Sequence, residues 1–427
     1  MPVKFDPALS RSSLYGTQTE LALGNFRAPG RTFGEVTPFV RGYVQVKLAT
    51  ARANHGLGVL DQVRLDAIVR ACEEILAGGH ADQFPSALVL GGGGTTTNMN
   101  VNEVVAARAT ELAGVDVHPN DHVNASQSTN DSYPTAMALA VLELVEAPLA
   151  ALDELAATLD RKAAEFDDTP HLGRTCLRDA VSVTAGQSHR AQAAAVRRVR
   201  EGLRSASVAM EEVPIGATVV GTGVGAPEGF RERCLAELAA VSGRRLRPAL
   251  DLFDALAHLD PYAALATSGS RAGITLAKIA ADIRLLSSGP SGGFGDLVIP
   301  AVQAGSSIMP AKVNPAIPEY VMQLSYRMRG CAHTVECAVA AGELELNVME
   351  PVIVDAIVTI LDDVTAAATT FARRCVASLT WDGPRREANL AGALDTWVGL
   401  SATSGYEATS ARYRDQASGG SERRSAR

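Results

Sequence analysis

The chain has 427 residues, of which 47% are hydrophobic, 5% aromatic and 20% charged, with a formal net charge of −8. This length can bury a large core and by size alone predicts two or three domains. The mildly acidic balance argues against nucleic acid as a partner, but not against a small dianionic substrate, because the local field is independent of the net charge.

Cysteine and histidine usage indicates reduced thiols and no metal site. The six cysteines are scattered without a CxxC pair, which is typical of a cytoplasmic chain rather than of a disulfide framework. The eight histidines form no HExxH or paired Cys/His spacing, so no metal and no other cofactor is predicted. No signal peptide is seen, and no uncharged apolar run reaches about 18 residues, so a soluble, cytoplasmic protein is expected.

The N-terminal part, residues 1–133, is predicted to be a smaller helical domain. Residues 1–35 are mixed and loop-like, and helical spacing of apolar residues predicts helices between 38 and 76. A run of glycines and threonines at 91–97 interrupts the pattern before a helix near 101–112. Residues 114–135 are rich in Asn, Asp, Ser and Pro, which predicts a loop.

Residues 134–385 are predicted to form a long central helical bundle. Alanine and leucine dominate over β-branched and aromatic residues, which favours an all-α fold class. Long helical patterns cover roughly 134–165, 186–213, 261–287, 315–343 and 351–380. Several exceed about 25 residues, which is typical of a bundle, and their apolar residues on more than one face predict several packing partners, including other subunits.

The end of the chain has a different composition. Beyond about Asn389, Gly, Ser, Thr and Arg prevail, and residues 418–427 have the composition of a disordered segment. Residues 386–427 are therefore predicted to be a shortened, partly disordered C-terminal region.

The most informative stretch is 305–315, GSSIMPAKVNP, which places two adjacent hydroxyls, a lysine and an asparagine close together. It follows the glycine-rich segment 288–295 and precedes an apolar periodic run from Ile317, so it reads as a mobile loop that leads into a helix N-terminus. Backbone N–H groups there favour an anion, and a serine with that support and a nearby lysine can take a proton from carbon. The alternative interpretation is a flexible surface loop with polar caps.

This string resembles the signature of the fumarase/aspartase superfamily, and with Ala311 and the continuation 314–319 it is most similar to the aspartate ammonia-lyase branch. Further blocks in the family's order lie at 92–104, 118–134, 173–187 and 342–351, and they extend the resemblance to about residue 400. The resemblance implies anti elimination from a 2-substituted succinate to give fumarate. It also implies a homotetramer whose core is formed by helices of all chains, with active sites shared between subunits.

The same resemblance implies the roles of individual residues. Ser306 is the catalytic base and Glu319 an orienting residue. The implied substrate-binding residues are Thr95, Asn98, Ser128, Thr129, Asn130, Thr175, Cys176, Ser307, Lys312 and Asn314. Taken alone, Thr95 and Asn98 equally suit a glycine turn followed by a helix cap. The loop from His118 to His122 resembles a secondary anion site, although two histidines in a polar loop are usually only solvated.

Three positions depart from the family pattern. Cys176 stands where fumarases and many aspartases have His and some aspartases have Gln, Arg178 stands where Gln is usual, and Leu21 stands where Arg is usual. A thiol cannot replace the histidine of the fumarase relay that handles water, so hydratase activity is less expected than carbon–nitrogen cleavage with release of ammonia. Two alternatives stay open: a nitrosuccinate lyase that releases nitrite in a natural-product pathway, and a non-catalytic relative that keeps only the bundle.

Overall fold

Helices dominate the computed structural model, which describes residues 13–27 and 29–424. In chain order the helices are α1 (Thr17–Asn25), α2 (Thr37–Gly56), α3 (Gln62–Leu76), α4 (Thr95–Ala113), α5 (Thr129–Leu144), α6 (Glu146–Glu165), α7 (Ala185–Ser207), α8 (Phe230–Ser242), α9 (Leu252–Ala257), α10 (Asp260–Leu286), α11 (Ala316–Val339), α12 (Glu350–Arg374), α13 (Gly383–Leu390), α14 (Asp395–Ser404) and α15 (Tyr406–Arg424). The described residues confirm the predicted all-α class with long helices.

The strands are short and form three separate pairs in the described part of the chain. They are β1 (Pro170–Thr175), β2 (Arg178–Thr184), β3 (Glu212–Val213), β4 (Arg247–Pro248), β5 (Leu297–Val298) and β6 (Thr380–Trp381). β1 and β2 form an antiparallel hairpin, β3 and β4 pair in parallel, and β5 pairs antiparallel with β6. Such short pairs do not form a layer of their own, so they serve to fix the segments between helices.

By its internal contacts the chain divides into two compact units, each assembled from three chain segments. The first unit comprises 1–150, 199–273 and 324–365, and the second comprises 151–198, 274–323 and 366–427. These borders differ from the predicted division at 133 and 385. Sequence patterns follow the chain continuously, whereas compact units join segments that are distant in sequence.

In the first unit the core forms around α2, which packs against α3, α5 and α8. At Gly42 a Cβ atom would lie 2.6 Å from the carbonyl oxygen of Ala136, so only glycine allows α2 and α5 to approach this closely. Beside that contact the rings of Phe33, Phe39 and Tyr133 pack edge to face, with centroids 5.2 Å apart for each successive pair. Such pairs add about 1 kcal/mol each beyond the area that they bury.

Helix α1 lies within residues 1–35, which the sequence predicts to be loop; residues 1–12 and 28 lie outside the described part. Its N-terminus is capped by Glu103 of α4, whose carboxylate accepts hydrogen bonds from the N–H groups of Gly16 at 2.9 Å and Gln18 at 2.8 Å. The hydroxyl of Thr19 donates to the same carboxylate at 2.6 Å. A carboxylate at a helix N-terminus satisfies free donors and opposes the dipole, so the helix depends on a partner that is distant in sequence.

The single helical pattern predicted at 134–165 is two helices, α5 and α6, separated only by Val145. Val145 keeps helical bonds on both sides, since its N–H donates to Val141 at 2.9 Å and its carbonyl accepts from Leu149 at 3.3 Å. The stretch Thr129–Glu165 is long and apolar enough to cross a membrane, yet 67% of its most apolar window is buried inside the protein. Such burial is typical of a core helix.

The C-terminal region predicted to be partly disordered, 386–427, contains helices α14 and α15 and the greater part of α13, which begins at Gly383. The ring of Trp397 on α14 packs edge to face on Tyr413 of α15, with centroids 5.0 Å apart. This pairing of two aromatic side chains gives α14 and the polar helix α15 a common apolar contact that the average composition of the region does not reveal. Residues 425–427 lie outside the described part.

Candidate active site

Two of the predicted substrate-binding side chains meet where α4 and α5 begin. The side-chain NH₂ of Asn98 donates to the hydroxyl of Thr129 at 3.0 Å and to the carboxamide oxygen of Asn124 at 3.1 Å. Asn98 is buried, whereas Thr129 is partly exposed. The hydroxyl of Thr129 is therefore held by a buried donor and still reaches the surface, as a ligand-binding group must.

The N-terminus of α5 is fixed from two sides. Ser128 and Asp131 form a capping box, and the side chain of Ser128 accepts from the N–H of Asn130 at 3.2 Å. The other oxygen of Asp131 accepts from the N–H groups of Gly216 and Thr218 at 3.0 and 2.9 Å. Burial raises the pKa of Asp131 to about 6. One carboxyl thus ties the predicted Ser128–Asn130 trio to the loop at 216–218.

Lys47 of α2 is a buried residue that was not predicted from the sequence, and it lies beside Asn98. Its ammonium donates to the side-chain oxygens of Asn98 at 2.7 Å, Gln127 at 2.9 Å and Asn124 at 3.0 Å. Lys47 has no exposed surface, and burial lowers its pKa to about 7, an effect that the charge of Asp131 opposes. The feature of the sequence that indicates a buried lysine is its position among apolar residues, between Val46 and Leu48 on α2.

The predicted base, Ser306, lies in a closed turn of the second unit. Its hydroxyl oxygen accepts hydrogen bonds from the N–H groups of Met309 at 3.0 Å and Ile308 at 3.2 Å. Two backbone donors aimed at one oxygen stabilise negative charge on it. The turn therefore aims two N–H donors at the hydroxyl oxygen of Ser306.

A second ring of contacts closes the same loop. The ammonium of Lys312 donates to the side-chain oxygen of Asn314 at 2.6 Å, and the NH₂ of Asn314 donates to the carbonyl of Gly305 at 2.8 Å. The N–H of Gly305 returns a bond to the carbonyl of Lys312 at 3.1 Å. A Cβ atom on Gly305 would lie 2.2 Å from that carbonyl oxygen, so the glycine is required by the ring.

Thr175 and Cys176 lie at the exposed tip of the β1–β2 hairpin. Thr175 pairs with Arg178, which leaves Cys176 and Leu177 as a two-residue turn with φ of +52° and +59°. Such turns normally contain Asn and Gly, because other residues in this conformation cost about 1 kcal/mol or more each. Cys176 is thus not the small buried group that a free cysteine usually is, but a strained and exposed thiol.

The glycine-rich segment upstream of Ser306 is anchored by side chains from distant parts of the second unit. Arg385 of α13 donates to the carbonyls of Gly293 at 2.7 Å and Phe294 at 3.0 Å. Arg174 of β1 pairs at 2.8 Å with Asp296, whose side chain has no exposed surface. Helix α13, which spans the predicted border at 385 between the bundle and the C-terminal region, therefore helps to hold this segment.

The remaining predicted residues are close in sequence to the residues described above. Thr95 is the exposed first residue of α4, and Ser307 and Lys312 are exposed on the Ser306 loop. Glu319 occupies the first turn of α11, where Arg284 lies 3.4 Å from its carboxylate. The α4–α5 group belongs to the first unit, whereas the Ser306 loop, the hairpin tip and Glu319 belong to the second.

The histidines of the predicted secondary anion site hold a π-helical turn, Pro119–Val123. Nδ1 of His118 accepts from the N–H of Asp121 at 3.2 Å, and Nδ1 of His122 accepts from the N–H of His118 at 2.7 Å. Burial lowers the pKa of His122, so its neutral form is favoured. Among residues 13–27 and 29–424, no group of three His, Cys, Asp or Glu side chains is placed to hold a metal ion.

Comparison with known proteins identifies relatives of this chain. A family model described as a lyase matches residues 9–330. An aspartate ammonia-lyase from Corynebacterium glutamicum is 43% identical over 373 residues, which cover 86% of this chain and 71% of that protein. The aspartate ammonia-lyase of Escherichia coli K12 is 40% identical, with 86% and 78% covered.

Solved structures agree with this relationship. A fumarate lyase:delta crystallin from Brucella melitensis, bound to cobalt, has a TM-score of 0.93 and 37% identity, with 96% of this chain and 91% of that chain covered. A class II fumarase from Schistosoma mansoni has a TM-score of 0.91 and 33% identity, with 94% and 88% covered.

Proposed function

The chain belongs to the fumarase/aspartase superfamily of lyases, and on that premise we propose that it eliminates ammonia from aspartate to give fumarate, with Ser306 as the base. The observation that supports this assignment of the base is the turn at Ser306, in which two N–H groups donate to the hydroxyl oxygen. Relatives named aspartate ammonia-lyase, 38–43% identical over most of the chain, support cleavage of a carbon–nitrogen bond.

The reaction begins when Ser306 removes a proton from the carbon next to one carboxylate. The charge of the resulting carbanion spreads into that carboxylate, and the amine then leaves from the neighbouring carbon. Such an intermediate forms only where preorganised donors hold its charge, and each donor contributes about 3 kcal/mol. We assign this role to the loop N–H groups and to Thr95, Asn98, Ser128, Thr129, Asn130, Thr175, Ser307, Lys312 and Asn314.

Ammonia is favoured over water and nitrite as the leaving group. The thiol of Cys176 is a weak hydrogen-bonding group, so it does not replace the histidine that a hydratase relay needs near Glu319. The relatives named aspartate ammonia-lyase favour ammonia over nitrite. A non-catalytic role is disfavoured because Ser306, Lys312 and Asn314 are all present and joined in one closed loop.

We propose the same assembly as the resemblance implies: a soluble, cytoplasmic homotetramer whose active sites combine residues of neighbouring subunits. The distribution of the predicted residues over two units supports it, since each unit holds only some of the groups that the reaction needs. The N-terminal lyase domain, central bundle and shortened C-terminal region remain our proposed division of function along the chain.

The test is the appearance of fumarate absorbance when purified protein is given aspartate, nitrosuccinate or malate. We expect turnover of aspartate, and a Ser306→Ala variant should lose about 10²–10⁴-fold in kcat, the usual range for removing a general base. Ser291→Ala, in the glycine-rich segment before the loop, is the matched control and should match the parent. Turnover of nitrosuccinate but not of aspartate would show that the leaving group is nitrite rather than ammonia. A Ser306→Ala variant as active as the parent would refute the assigned base.

A further inference from the structure

Lys47 is saturated by neutral partners. An ammonium has three N–H donors and no acceptor, and here three amide oxygens accept them, from Asn98, Asn124 and Gln127. Among the contacts of the described residues, no carboxylate accepts from Lys47. As an ammonium, the side chain therefore acts as a donor only, which restricts how each of the three amides is oriented.

When the oxygen of a side-chain amide accepts a hydrogen bond from a cation, the NH₂ group of that amide points away from the cation. Asn98 accordingly presents NH₂ to the hydroxyl of Thr129 at 3.0 Å, and Gln127 presents NH₂ to the hydroxyl of Thr50 at 3.0 Å. The opposite orientation of Asn98 would place NH₂ against the ammonium, with two donors facing each other in a buried site.

The direction of the bond from Asn98 decides what Thr129 can do. Because the oxygen of Thr129 accepts from Asn98, its own hydrogen is left to donate elsewhere. At neutral pH both carboxylates of a dicarboxylate are ionised and can only accept hydrogen bonds. The ligand therefore needs a donor at this position. With Asn98 reversed, Thr129 would instead donate to the amide oxygen and offer the ligand a lone pair.

We propose that Lys47 is a positioning residue that sets the direction of the hydrogen bonds from Asn98 to Thr129, so that Thr129 donates to a carboxylate of the substrate. This inference rests on the proposed function, because it requires Thr129 to contact a dicarboxylate. Lys47 itself touches no substrate atom, and its effect passes through Asn98.

The surroundings of Lys47 predict a pH dependence that a merely structural residue would not show. The titratable groups that act on it are Asp131 on α5, Cys72 on α3 and Cys234 on α8. Asn98 on α4 and Asn124, directly after the π-helical turn, contribute amides. Burial raises the pKa of Cys72 to about 12 and also raises the pKa of Cys234, so both stay neutral near pH 7. Lys47 has a pKa of about 7, so above that pH it becomes an amine that can accept.

The experiment measures succinate affinity by titration calorimetry and aspartate kinetics for the parent, Lys47→Met and Lys47→Arg. Lys162→Met is the control, because Lys162 is nearly as buried but donates to Glu165 on α6 instead. We expect Lys47→Met to raise the Kd for succinate and the KM for aspartate about tenfold or more, with a smaller change in kcat. Lys47→Arg, which only donates, should stay within about threefold of the parent.

The pH profile supplies a second measurement that does not depend on how well Lys47→Met folds. The parent should bind succinate more weakly as the pH rises through about 7, whereas Lys47→Arg should bind it evenly across that range, because arginine stays charged.

Two results would overturn the inference: a folded Lys47→Met that binds succinate as the parent does, or superimposable pH profiles for the parent and Lys47→Arg. A parent that neither binds succinate nor forms fumarate from aspartate would instead remove the proposed function, and this inference with it.

Discussion

Arg385 and Gly293 are joined by a hydrogen bond of 2.7 Å between the guanidinium and the backbone carbonyl. Through this bond, and a second one to Phe294, helix α13 holds the segment that precedes the Ser306 loop. Helix α13, which begins before the predicted border at 385 and ends beyond it, is thus joined to the segment that leads to the loop carrying the proposed base.

Replacing Arg385 with methionine should loosen the segment before Ser306. Two lost hydrogen bonds of about 1 kcal/mol each predict a kcat/KM for aspartate that is lower by about tenfold or more, with little change in the thermal unfolding temperature. Arg373→Met is the control, because Arg373 forms an exposed ion pair with Glu154 at 2.7 Å, a type worth about 0–1 kcal/mol. Equal kcat/KM for both variants would show that α13 does not support the loop.

A methyl group on Gly305 should disrupt the ring that joins Gly305, Lys312 and Asn314. The added Cβ would lie 2.2 Å from the carbonyl oxygen of Lys312, so the loop must open. We expect kcat/KM for Gly305→Ala to fall by about tenfold or more while the unfolding temperature is kept, since loops are among the least stable parts of a fold. Gly292→Ala is the matched control, because nothing lies within 4 Å of its added Cβ. If both variants keep full activity, the closed ring has no catalytic role.

The charge of Lys312 should matter more for catalysis than for stability. Its ammonium is exposed and donates to Asn314, so Lys312→Met should lower kcat/KM by about 10²–10³-fold without lowering the unfolding temperature. Lys278→Met removes another exposed lysine, paired with Asp282 on α10, and should leave the kinetics unchanged. Steady-state kinetics of both variants decides the point, and a Lys312→Met enzyme with normal kcat/KM would contradict the assignment.

Asp131 should make stability depend on pH in mildly acid solution. Burial raises the pKa of this carboxyl from 3.8 to about 6, so between these values the folded state binds more protons than the unfolded state. The contribution of Asp131 to stability is therefore full below about pH 4 and is lost as the pH rises through about 6.

Denaturant unfolding of the parent and Asp131→Asn over that range measures this contribution. The free energy of unfolding of the parent, relative to that of Asp131→Asn, should fall by roughly 1–3 kcal/mol as the pH rises from about 4 to 6. A difference that is constant with pH would place the pKa of Asp131 in its ordinary range.

The residues of the candidate site lie in short continuous strings of the sequence, and the family resemblance of those strings implies their roles. The Ser306 loop and the Ser128–Asn130 trio each begin at a turn or helix cap that local residue types already indicate. The all-α class follows from helical periodicity over long stretches.

The remaining features depend on partners that are distant in sequence. Helix α1 is capped by Glu103, Lys47 is held by amides at 98, 124 and 127, and α13 contacts the loop at 293–294. Periodicity and composition describe only neighbours along the chain, so they predict neither the helix at 17–25 nor the role of the buried lysine.

Each compact unit is assembled from three separate segments of the chain, and the last segment of the first unit is 324–365. During synthesis, which proceeds from the N-terminus, most of the protein must therefore have left the ribosome before either unit can close its core. No single cut yields one unit as a continuous fragment, so truncation should produce insoluble pieces rather than smaller folded proteins.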